Sequence, residues 1–505
     1  MANLGIQFYS LMIQHIRQSI PSSIVVFLVA LPLCLGIALG SGAPLISGII
    51  AGVVGGIVVG AISGSHLSVS GPAAGLIAIV IVAISDLGGF DTFLLAVFLA
   101  GLFQIAFGFL RLGIIGHYIP NTVIKGMMAA IGLILILKQI PHLVGYDVDF
   151  MGDEGFLQRA NENTFSAVQH SLGAFTFGPT VVGFFSLIVL IATQAFGYAR
   201  FGISKFLPAP LLVVLAGTAL GYGLGQVTPE WTILAEHSVQ LPNWKEGLTA
   251  PNFGAFGNID VWIVALTIAV IASIETLLCI EAADKLDPLK RITPTNRELI
   301  AQGVGNSVSG LIGGLPITSV IVRTSANAQM GARHKSSAIM HGVILAGAVI
   351  AITPVLNRIP LAVLAAILIM TGYKLVSPAV IRSIVVKGYT QWVPFAITVV
   401  AILLTDLLKG IALGLVVSLI FIAITDFKSN ISFSEKDGLY TFSFRRVVTY
   451  LSKGLLKERL ERIPKGATLE LDYRQCEFLD ADIEEVIEDF KKHSGYKNIA
   501  VKEIR

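Results

Sequence analysis

The sequence predicts an all-α polytopic membrane protein with a small soluble α/β domain at its C-terminal end. Of the 505 residues, 54% are hydrophobic and only 13% are charged, whereas soluble domains carry roughly 25% charged residues. Apolar runs long enough to cross a bilayer, about 17 to 25 residues each, recur from residue 22 to about residue 427. Beyond that point the composition becomes charged and polar, which indicates a domain surrounded by water.

The apolar runs predict twelve continuous transmembrane helices. They lie near residues 22–40, 45–62, 92–111, 121–138, 179–198, 206–224, 260–283, 297–312, 337–356, 359–374, 391–407 and 409–426. Two further stretches, 63–85 and 313–330, begin with Gly, Ser, His or Pro and only later become helical in character. We therefore expect two interrupted elements, and fourteen transmembrane elements in all. Residues 1–21 are amphipathic and lack a signal-peptide cleavage site, so they predict a cytoplasmic or interfacial segment.

The charges between the spans predict the orientation, because cytoplasmic loops carry an excess of Lys and Arg. A cytoplasmic N-terminus would put twelve basic residues on one side: Arg111, Lys125, Arg200, Lys205, Lys285, Lys290, Arg291, Arg297, Arg333, Lys335, Arg382 and Lys387. The two longest loops, 141–178 and 225–259, would face the other side. They hold the acidic residues Asp147, Asp149, Asp153, Glu154, Glu230 and Glu236. We expect an inner (plasma) membrane protein with both termini in the cytoplasm.

The order of landmarks along the chain indicates an internal repeat. The stretch LAGLFQIAFGFLRLGIIGHYIP (99–120) is similar to LAGAVIAITPVLNRIP (345–360), and the interrupted elements around Pro72 and Pro316 occupy corresponding places. Seven elements precede residue 260 and seven follow it. A repeated unit with an odd number of spans enters the membrane in the opposite sense the second time. The sequence thus predicts a 7+7 inverted repeat, about 22–224 and 260–427, as in many secondary transporters; chance similarity between apolar strings is the alternative.

The segment 428–505 predicts a small cytoplasmic α/β domain. LYTFSF and ATLELDY alternate apolar and polar residues as strands do, and KNIAVKEI predicts a final strand. YLSKGLLKERLERI and ADIEEVIEDFKKHS have the periodicity of amphipathic helices.

The composition and motifs argue against several function classes. A net charge of +3 is too small to indicate nucleic-acid binding. The three cysteines, Cys34, Cys279 and Cys476, lie far apart and have neither metal-site nor disulfide spacing. The sequence contains no nucleophile elbow, metal cluster or Walker-type loop. We therefore expect neither an enzyme nor a bound metal or cofactor.

The two interrupted elements predict a binding site for an anion. Backbone that is not helical is tolerated in a membrane only where it is buried in protein or lines a cavity. A half-helix that starts at mid-membrane has free N–H groups and a partial positive charge at its N-terminus. Two such ends that face each other would hold an anion without a metal. We expect Ser70 to cap the first half-helix, with Pro72 in its first turn, and Thr318 or Ser319 to cap the second.

Two charges lie inside the predicted spans. Arg323 lies one turn into the second half-helix, where it opposes the helix dipole, so its counterpart should be an anion or a carboxylate. Glu275 lies in the middle of an apolar span and Cys279 one turn further on the same face. A buried glutamate can carry a proton or, with oxygen donors, help to hold Na⁺. The alternative is that Glu275 and Arg323 form an internal ion pair that fixes helix packing.

At these residues the chain resembles the SulP family of inorganic anion transporters. The resemblance covers nearly the whole chain and rests on HLSVSGPAAG, on IETLLCIEAADKLDPLKRITPTNRELIAQGVGNSVSGLIGGLPIT and on VRTSANAQMGARHKSS. It implies a core and a gate domain, a substrate site between half-helices 3 and 10, and elevator-like movement of the core. It also implies a homodimer and a C-terminal STAS domain, although LDADI (479–483) replaces the Asp-Ser-Ser-Gly-like turn common in such domains.

The same resemblance assigns the site residue by residue. It implies a substrate site made by Leu33, Ile37, Ser70, Gly71, Pro72, Ala73, Ser319, Val320, Ile321 and Arg323, to which the hydroxyl of Thr318 adds a donor. Glu275 falls at the family's acidic coupling position. Some sodium-coupled bicarbonate carriers have Asp and Thr where this chain has Glu275 and Cys279, which favours H⁺ over Na⁺.

These observations predict a secondary active transporter of sulfate or bicarbonate, coupled to H⁺ or Na⁺ in symport. A dicarboxylate or nucleobase symporter of the same fold is one alternative. An uncoupled anion channel or an exchanger is another, and a membrane-anchored interaction module is a third. The sequence leaves the anion, the coupling ion and its stoichiometry open.

Overall fold

The computed structural model of the chain describes residues 2–149, 151, 156, 163–198, 207–241, 248–429, 431–436 and 438–504. Of the loop charges used to predict orientation, Arg200, Lys205, Asp153 and Glu154 lie outside the described residues. The chain divides into two compact units, Met1–Val386 with Phe395–Leu415, and Lys387–Pro394 with Val416–Arg505.

Helices make up most of the described part of the chain that precedes residue 430. In order they are α1 (Ala2–Gly40), α2 (Leu45–Val54), α3 (Gly60–Ile62), α4 (Ile77–Asp86), α5 (Phe90–Phe109), α6 (Asn121–Leu143), α7 (Thr164–Gly173), α8 (Phe177–Ala195), α9 (Ala209–Val227), α10 (Ile259–Leu286), α11 (Thr295–Leu311), α12 (Ile321–Gln329), α13 (Ser336–Ala351), α14 (Thr353–Leu356), α15 (Leu361–Leu375), α16 (Pro378–Val385), α17 (Tyr389–Leu404) and α18 (Leu407–Ser429). A π-helical turn, Gly55–Val59, joins α2 to α3. Two short strands interrupt the series, β1 (Ser70–Pro72) and β2 (Ile317–Ser319).

Eight helical stretches of the described residues are long and apolar enough to cross a membrane. They are Gln18–Gly40, Leu45–Ile62, Phe90–Phe109, Asn121–Leu143, Phe177–Ala195, Ala209–Val227, Ile259–Leu286 and Leu361–Val385. Four shorter apolar helices accompany them, at Ala74–Asp86, Ser336–Ala351, Tyr389–Leu404 and Leu407–Ala423. The first span is not preceded by a separate helix, because α1 continues through Pro21 to Gly40 without a break.

Prolines define where many of these helices begin. The residue before the first helical residue is a proline in α2, α6, α9, α11 and α15, namely Pro44, Pro120, Pro208, Pro294 and Pro360. The pyrrolidine ring holds φ near −65°, and the missing N–H would interrupt a helix that continued backwards. These prolines therefore separate the spans from the loops.

Glycines let helices approach closely in the first unit, Met1–Val386 with Phe395–Leu415, which is called the membrane unit below. A Cβ atom at Gly303 of α11 would lie 2.6 Å from the carbonyl oxygen of Gly101 in α5. Similarly, a Cβ atom at Gly372 of α15 would lie 2.5 Å from the carbonyl oxygen of Gly132 in α6. Helices in lipid associate through such small-residue contacts, because lipid tails remove the hydrophobic drive between apolar surfaces. The α5–α11 contact holds α11 directly behind β2.

A carboxylate ties the two long loops of the membrane unit together. Asp147, in the loop after α6, lies 2.5 Å from Nδ1 of His142 and 2.6 Å from Nδ1 of His237, which belongs to the loop before α10. Burial opposes ionisation of Asp147, but the hydrogen bonds with His142 and His237 outweigh it and hold the pKa of Asp147 below its usual range. The hydrogen bond to Asp147 also raises the pKa of His237, against the effect of burial.

The C-terminal residues form a four-stranded sheet with two helices. Its elements are β3 (Ile431–Lys436), β4 (Leu439–Val448), α19 (Lys453–Glu461), β5 (Thr468–Leu479), α20 (Ala481–Ser494) and β6 (Ala500–Ile504). The strand order is β3-β4-β5-β6; β3 pairs antiparallel with β4, and the other two pairings are parallel. The three predicted strands and two predicted helices are confirmed, and β3 is an addition. Phe442 and Phe444 of β4 point into a core closed by Leu456, Leu460 and Ile483.

Candidate functional site

The two interrupted elements meet through a short antiparallel ladder. Ser70 of β1 pairs with Ser319 of β2, Gly71 pairs with Thr318, and Pro72 pairs with Ile317. All six residues are buried. Non-helical backbone must satisfy its polar groups inside a membrane protein, and here each interrupted element supplies partners for the other.

Each strand leads directly into a helix. After β1 come a 3₁₀ turn, Ala74–Leu76, and α4, and after β2 comes α12. Because the strands are antiparallel, the two helices start from opposite ends of the ladder. A rise of about 3.4 Å per residue over two residues separates these ends by about 7 Å. The first N–H groups of a helix have no intrahelical partner, so two sets of amide donors lie within reach of one small solute.

The expected caps are wrong. Ser70 and Pro72 belong to β1, and the turn that opens the first helix begins after Ala73, which has extended backbone and no side-chain cap. The residue before α12 is Val320, again without a side-chain cap. Instead of capping a helix, Ser319 joins Ser68 through their Oγ atoms at 2.5 Å. The helix starts are therefore left without a capping side chain.

Arg323 lies behind β1 and is fully buried, with 0% of its surface exposed. Its Nη2 donates to Sγ of Cys34 at 3.3 Å, whereas Nε and Nη1 have no hydrogen-bond partner in the described part of the chain. A Cβ atom on Gly71 would overlap with Nη1. These contacts do not test the alternative of a Glu275–Arg323 ion pair, which stays a prediction. The buried guanidinium places a positive charge beside β1 and raises the local electrostatic potential.

Glu275 of α10 lies against the start of the first helix. The residue is 5% exposed, and a Cβ atom at Gly75 would lie 3.3 Å from both carboxylate oxygens. The next residue, Thr276, accepts a hydrogen bond from the backbone N–H of Ser319 at 3.3 Å through Oγ1. α10 thus touches both interrupted elements. Cys279 is buried one turn further along α10.

Helix α1 packs beside both helix starts. Leu33 belongs to the same hydrophobic cluster as Ile321 and Val322 of α12. Ile37, one turn later, belongs to a second cluster with Ala73 and Leu76. The apolar residues expected at the site therefore divide between its two halves. Val320 connects the halves directly, because its N–H donates to the carbonyl oxygen of Val69 at 3.0 Å.

Several polar residues around the ladder escaped the sequence-based prediction. Asn306 of α11 accepts a hydrogen bond from the N–H of Ile317 at 2.6 Å and donates to its carbonyl oxygen at 2.9 Å. Gln302, one turn earlier, donates to Oγ of Ser70 at 2.7 Å. His341 of α13 is fully buried, and neither ring nitrogen has a hydrogen-bond partner among the described residues.

One pattern in the sequence indicates two of these residues, Gln302 and Asn306. Glu298, Gln302 and Asn306 are spaced by four within a predicted span, so they form a polar stripe on one face of a helix. A polar stripe inside a membrane helix faces protein or a cavity rather than lipid. His341 stands alone in an apolar run, and no comparable pattern marks it.

Comparisons with known proteins agree with this fold. A sequence profile described as the sulfate permease family matches residues 16–398. YvdB of Bacillus subtilis is 26% identical over 358 residues, which cover 71% of this chain and 64% of YvdB. The bicarbonate transporter BicA of Synechocystis sp. is 29% identical over 326 residues, which cover 64% of this chain and 53% of BicA. The chain thus matches less than two thirds of the length of either relative.

A solved structure extends the likeness to nearly the whole chain. The murine solute carrier 26 family member A9, an anion transporter in the inward-facing state, superposes with a TM-score of 0.65 over 96% of this chain and 85% of its own. Its sequence identity is 15%, so this likeness concerns the fold alone.

Proposed function

The chain belongs to the sulfate permease family, a family of transporters, and we propose that it is a secondary active transporter of a small inorganic anion, sulfate or bicarbonate. The observation that carries this proposal is the meeting of two helix starts at the β1–β2 ladder, with the Arg323 cation buried beside them. The name of the relative BicA, a bicarbonate transporter, supports the substrate class.

The anion would bind to the backbone amides at the starts of α4 and α12. Each helix start carries roughly half an elementary positive charge. The buried Arg323 cation adds further attraction for an anion, because charges interact more strongly inside a protein than in water. The hydroxyls of Ser70, Thr318 and Ser319 would add donors. Leu33, Ile37, Ala73, Val320 and Ile321 would supply the apolar walls.

Glu275 would couple this site to an ion gradient. Its carboxylate lies against the first turn at Gly75, so an added proton or cation at Glu275 removes a negative charge next to the anion. Uptake of the anion and of the cation then favour each other, which is the requirement for symport. Cys279 provides a sulfur rather than an oxygen one turn away, and this favours H⁺ as the coupling ion.

The wider architecture follows the same proposal. The chain would contain fourteen transmembrane elements in a 7+7 inverted repeat, with α4 and α12 as half-helices of a core domain that moves as an elevator against a gate domain. The protein would be a homodimer in the cytoplasmic membrane with both termini in the cytoplasm, and residues 428–505 would be a STAS-like domain. The match to the murine anion transporter over 96% of the chain supports the fold on which this arrangement is based.

Uptake into proteoliposomes tests the proposal. The purified protein should give saturable uptake of labelled sulfate or bicarbonate, and an imposed proton or sodium gradient should drive accumulation. Competition by uracil or fumarate would favour the nucleobase or dicarboxylate alternative. Currents that persist without a coupling gradient would favour a channel. Saturable uptake of neither anion would remove the assignment.

A further inference from the structure

Helix α11 presents a row of three buried polar side chains to the ladder. Glu298, Gln302 and Asn306 are each 0% exposed and follow one another at intervals of one turn. Asn306 holds the backbone of Ile317 in β2 through both of its amide atoms. Gln302 contacts Ser70 of β1, and Glu298 contacts Gln302. The direction of these two hydrogen bonds bears on the function of Ser70.

Gln302 uses both hydrogens of its amide nitrogen. Nε2 donates to Oγ of Ser70 at 2.7 Å and to Oε1 of Glu298 at 3.2 Å. Its Oε1 has no hydrogen-bond partner in the described part of the chain. Because Oε1 of Glu298 accepts the hydrogen bond from Nε2, Glu298 determines which end of the Gln302 amide faces it. The same rotamer brings Nε2 to Ser70.

This direction decides what the Ser70 hydroxyl can do. A hydroxyl has one hydrogen to donate and two lone pairs that accept. Because Oγ of Ser70 accepts from Gln302, its own hydrogen is left for another acceptor. If the amide of Gln302 were turned by 180°, its Oε1 would take that hydrogen, and Ser70 could then offer an incoming anion only a lone pair, which repels it.

Glu298 itself is held by neutral donors. Oγ of Ser63 donates to its Oε2 at 2.5 Å, and the backbone N–H of Gly64 is a further donor. No cationic side chain forms an ion pair with Glu298 among the residues that the structure describes. Within that part of the chain its link to the ladder runs through Gln302, so a change at Glu298 reaches the site through the orientation of that amide.

We propose that Glu298 is a positioning residue for anion binding, which orients the Gln302 amide so that Ser70 presents its hydroxyl hydrogen to the transported anion. This inference rests on the proposed function of the ladder as an anion site. Helix α11 contributes no residue to the site as predicted from the sequence. The inference gives this helix a part in selecting a negatively charged solute.

A double-mutant cycle on Ser70 and Glu298 tests the inference. Wild type, Ser70→Ala, Glu298→Gln and the double variant are reconstituted, and the KM and maximal rate of labelled sulfate and bicarbonate uptake are measured. A hydrogen bond to a charged group accounts for about a tenfold change in affinity or more. We expect each single variant to raise KM about tenfold with little change in the maximal rate. The double variant should be no worse than Ser70→Ala, because Glu298 acts only through that hydroxyl.

Two outcomes overturn the inference while leaving the proposed function intact. One is a double variant whose KM increase is the product of the two single effects. The other is a Glu298→Gln variant that loses maximal rate at unchanged KM. By contrast, no saturable uptake by wild type, or an unchanged KM in Ser70→Ala, would overturn the anion site itself and therefore both proposals.

Two more variants guard against a folding defect. Glu298→Asp keeps a carboxylate at this position and should restore most of the affinity lost in Glu298→Gln. Gln302→Met removes both the donor and the competing acceptor but fills the space, so the Ser70 hydrogen stays free and KM should rise less than in Glu298→Gln. A tenfold increase in KM for Gln302→Met that persists in the Ser70→Ala background would contradict the proposal even if Glu298→Gln did not fold.

Discussion

Gly71 and Arg323 are packed so closely that no side chain fits between them, since a Cβ atom at Gly71 would overlap with Nη1 of the guanidinium. We therefore predict that Gly71→Ala displaces either β1 or the guanidinium and lowers anion uptake at least tenfold. A Cβ atom at the exposed Gly347 of α13 would have no neighbour within 4 Å, so Gly347→Ala is the matched control. Initial rates in proteoliposomes compare the two, and wild-type affinity in Gly71→Ala would contradict the assigned packing.

The charge of Arg323 should matter more than its hydrogen bonds. Among the described residues only Nη2 has a hydrogen-bond partner, the sulfur of Cys34, whereas the positive charge acts on any anion at the ladder. We expect Arg323→Gln to raise the KM for the anion about tenfold to a hundredfold, equivalent to about 1.4 to 2.8 kcal/mol. Arg382→Gln, which removes an exposed arginine of α16, should have no such effect. An unchanged KM in Arg323→Gln would refute an electrostatic role.

Glu275 is expected to control coupling rather than binding alone. Uptake is measured with the proton and sodium gradients imposed one at a time, for wild type, Glu275→Gln and Glu281→Gln. A neutral amide at position 275 cannot release a proton, so the gradient should no longer drive accumulation, although exchange of anion across the membrane persists. Glu281 lies on the same helix and contacts His117 at 2.9 Å, so its variant should keep the gradient dependence. Unchanged coupling in Glu275→Gln would exclude it as the coupling residue.

The bridge from His142 through Asp147 to His237 predicts a pH-dependent stability. The raised pKa of His237 stabilises the folded state fully below its unfolded value, about 6.5, and this contribution is lost as pH rises through the folded pKa. The lowered pKa of Asp147 contributes above about pH 3.9 and is lost as pH falls through the folded pKa.

Asp147→Asn should therefore lower the unfolding temperature most near pH 5 to 6.5, with a smaller difference at pH 9. Thermal unfolding in detergent measures the unfolding temperature at each pH. The control is Asp86→Asn, which changes an exposed aspartate at the end of α4. A temperature difference that is the same at pH 6 and pH 9 would show that His237 contributes no charge to this contact.

The interrupted elements could be predicted from the sequence, but their contact could not. Gly71, Pro72 and Pro316 indicate breaks in otherwise apolar runs, because glycine and proline weaken helices wherever they occur. The pairing of Ser70 with Ser319 depends on residues that the whole fold brings together. Strands of three residues also have too few positions to display an alternating pattern.

The sequence predicted which residues lie near the site better than it predicted the hydrogen bonds between them. The positions of Arg323 and Glu275 were conspicuous because charges are rare in apolar spans. Their partners were not, since Cys34 resembles any small apolar residue of α1 and Gly75 has no side chain at all. Caps were expected at Ser70 and Ser319 because local preference favours serine there. The tertiary contacts with Gln302 and Ser68 take precedence over that preference.

The ladder has a consequence for how the protein is made. Its two strands lie almost 250 residues apart in the chain, so β1 is synthesised long before its partner exists. During that interval the nascent first half must keep the backbone of Ser70–Pro72 shielded from lipid by water, by the insertion machinery or by a chaperone. Translation that stops before residue 317 leaves an incomplete half with an open strand edge, and we expect cellular quality control to degrade it.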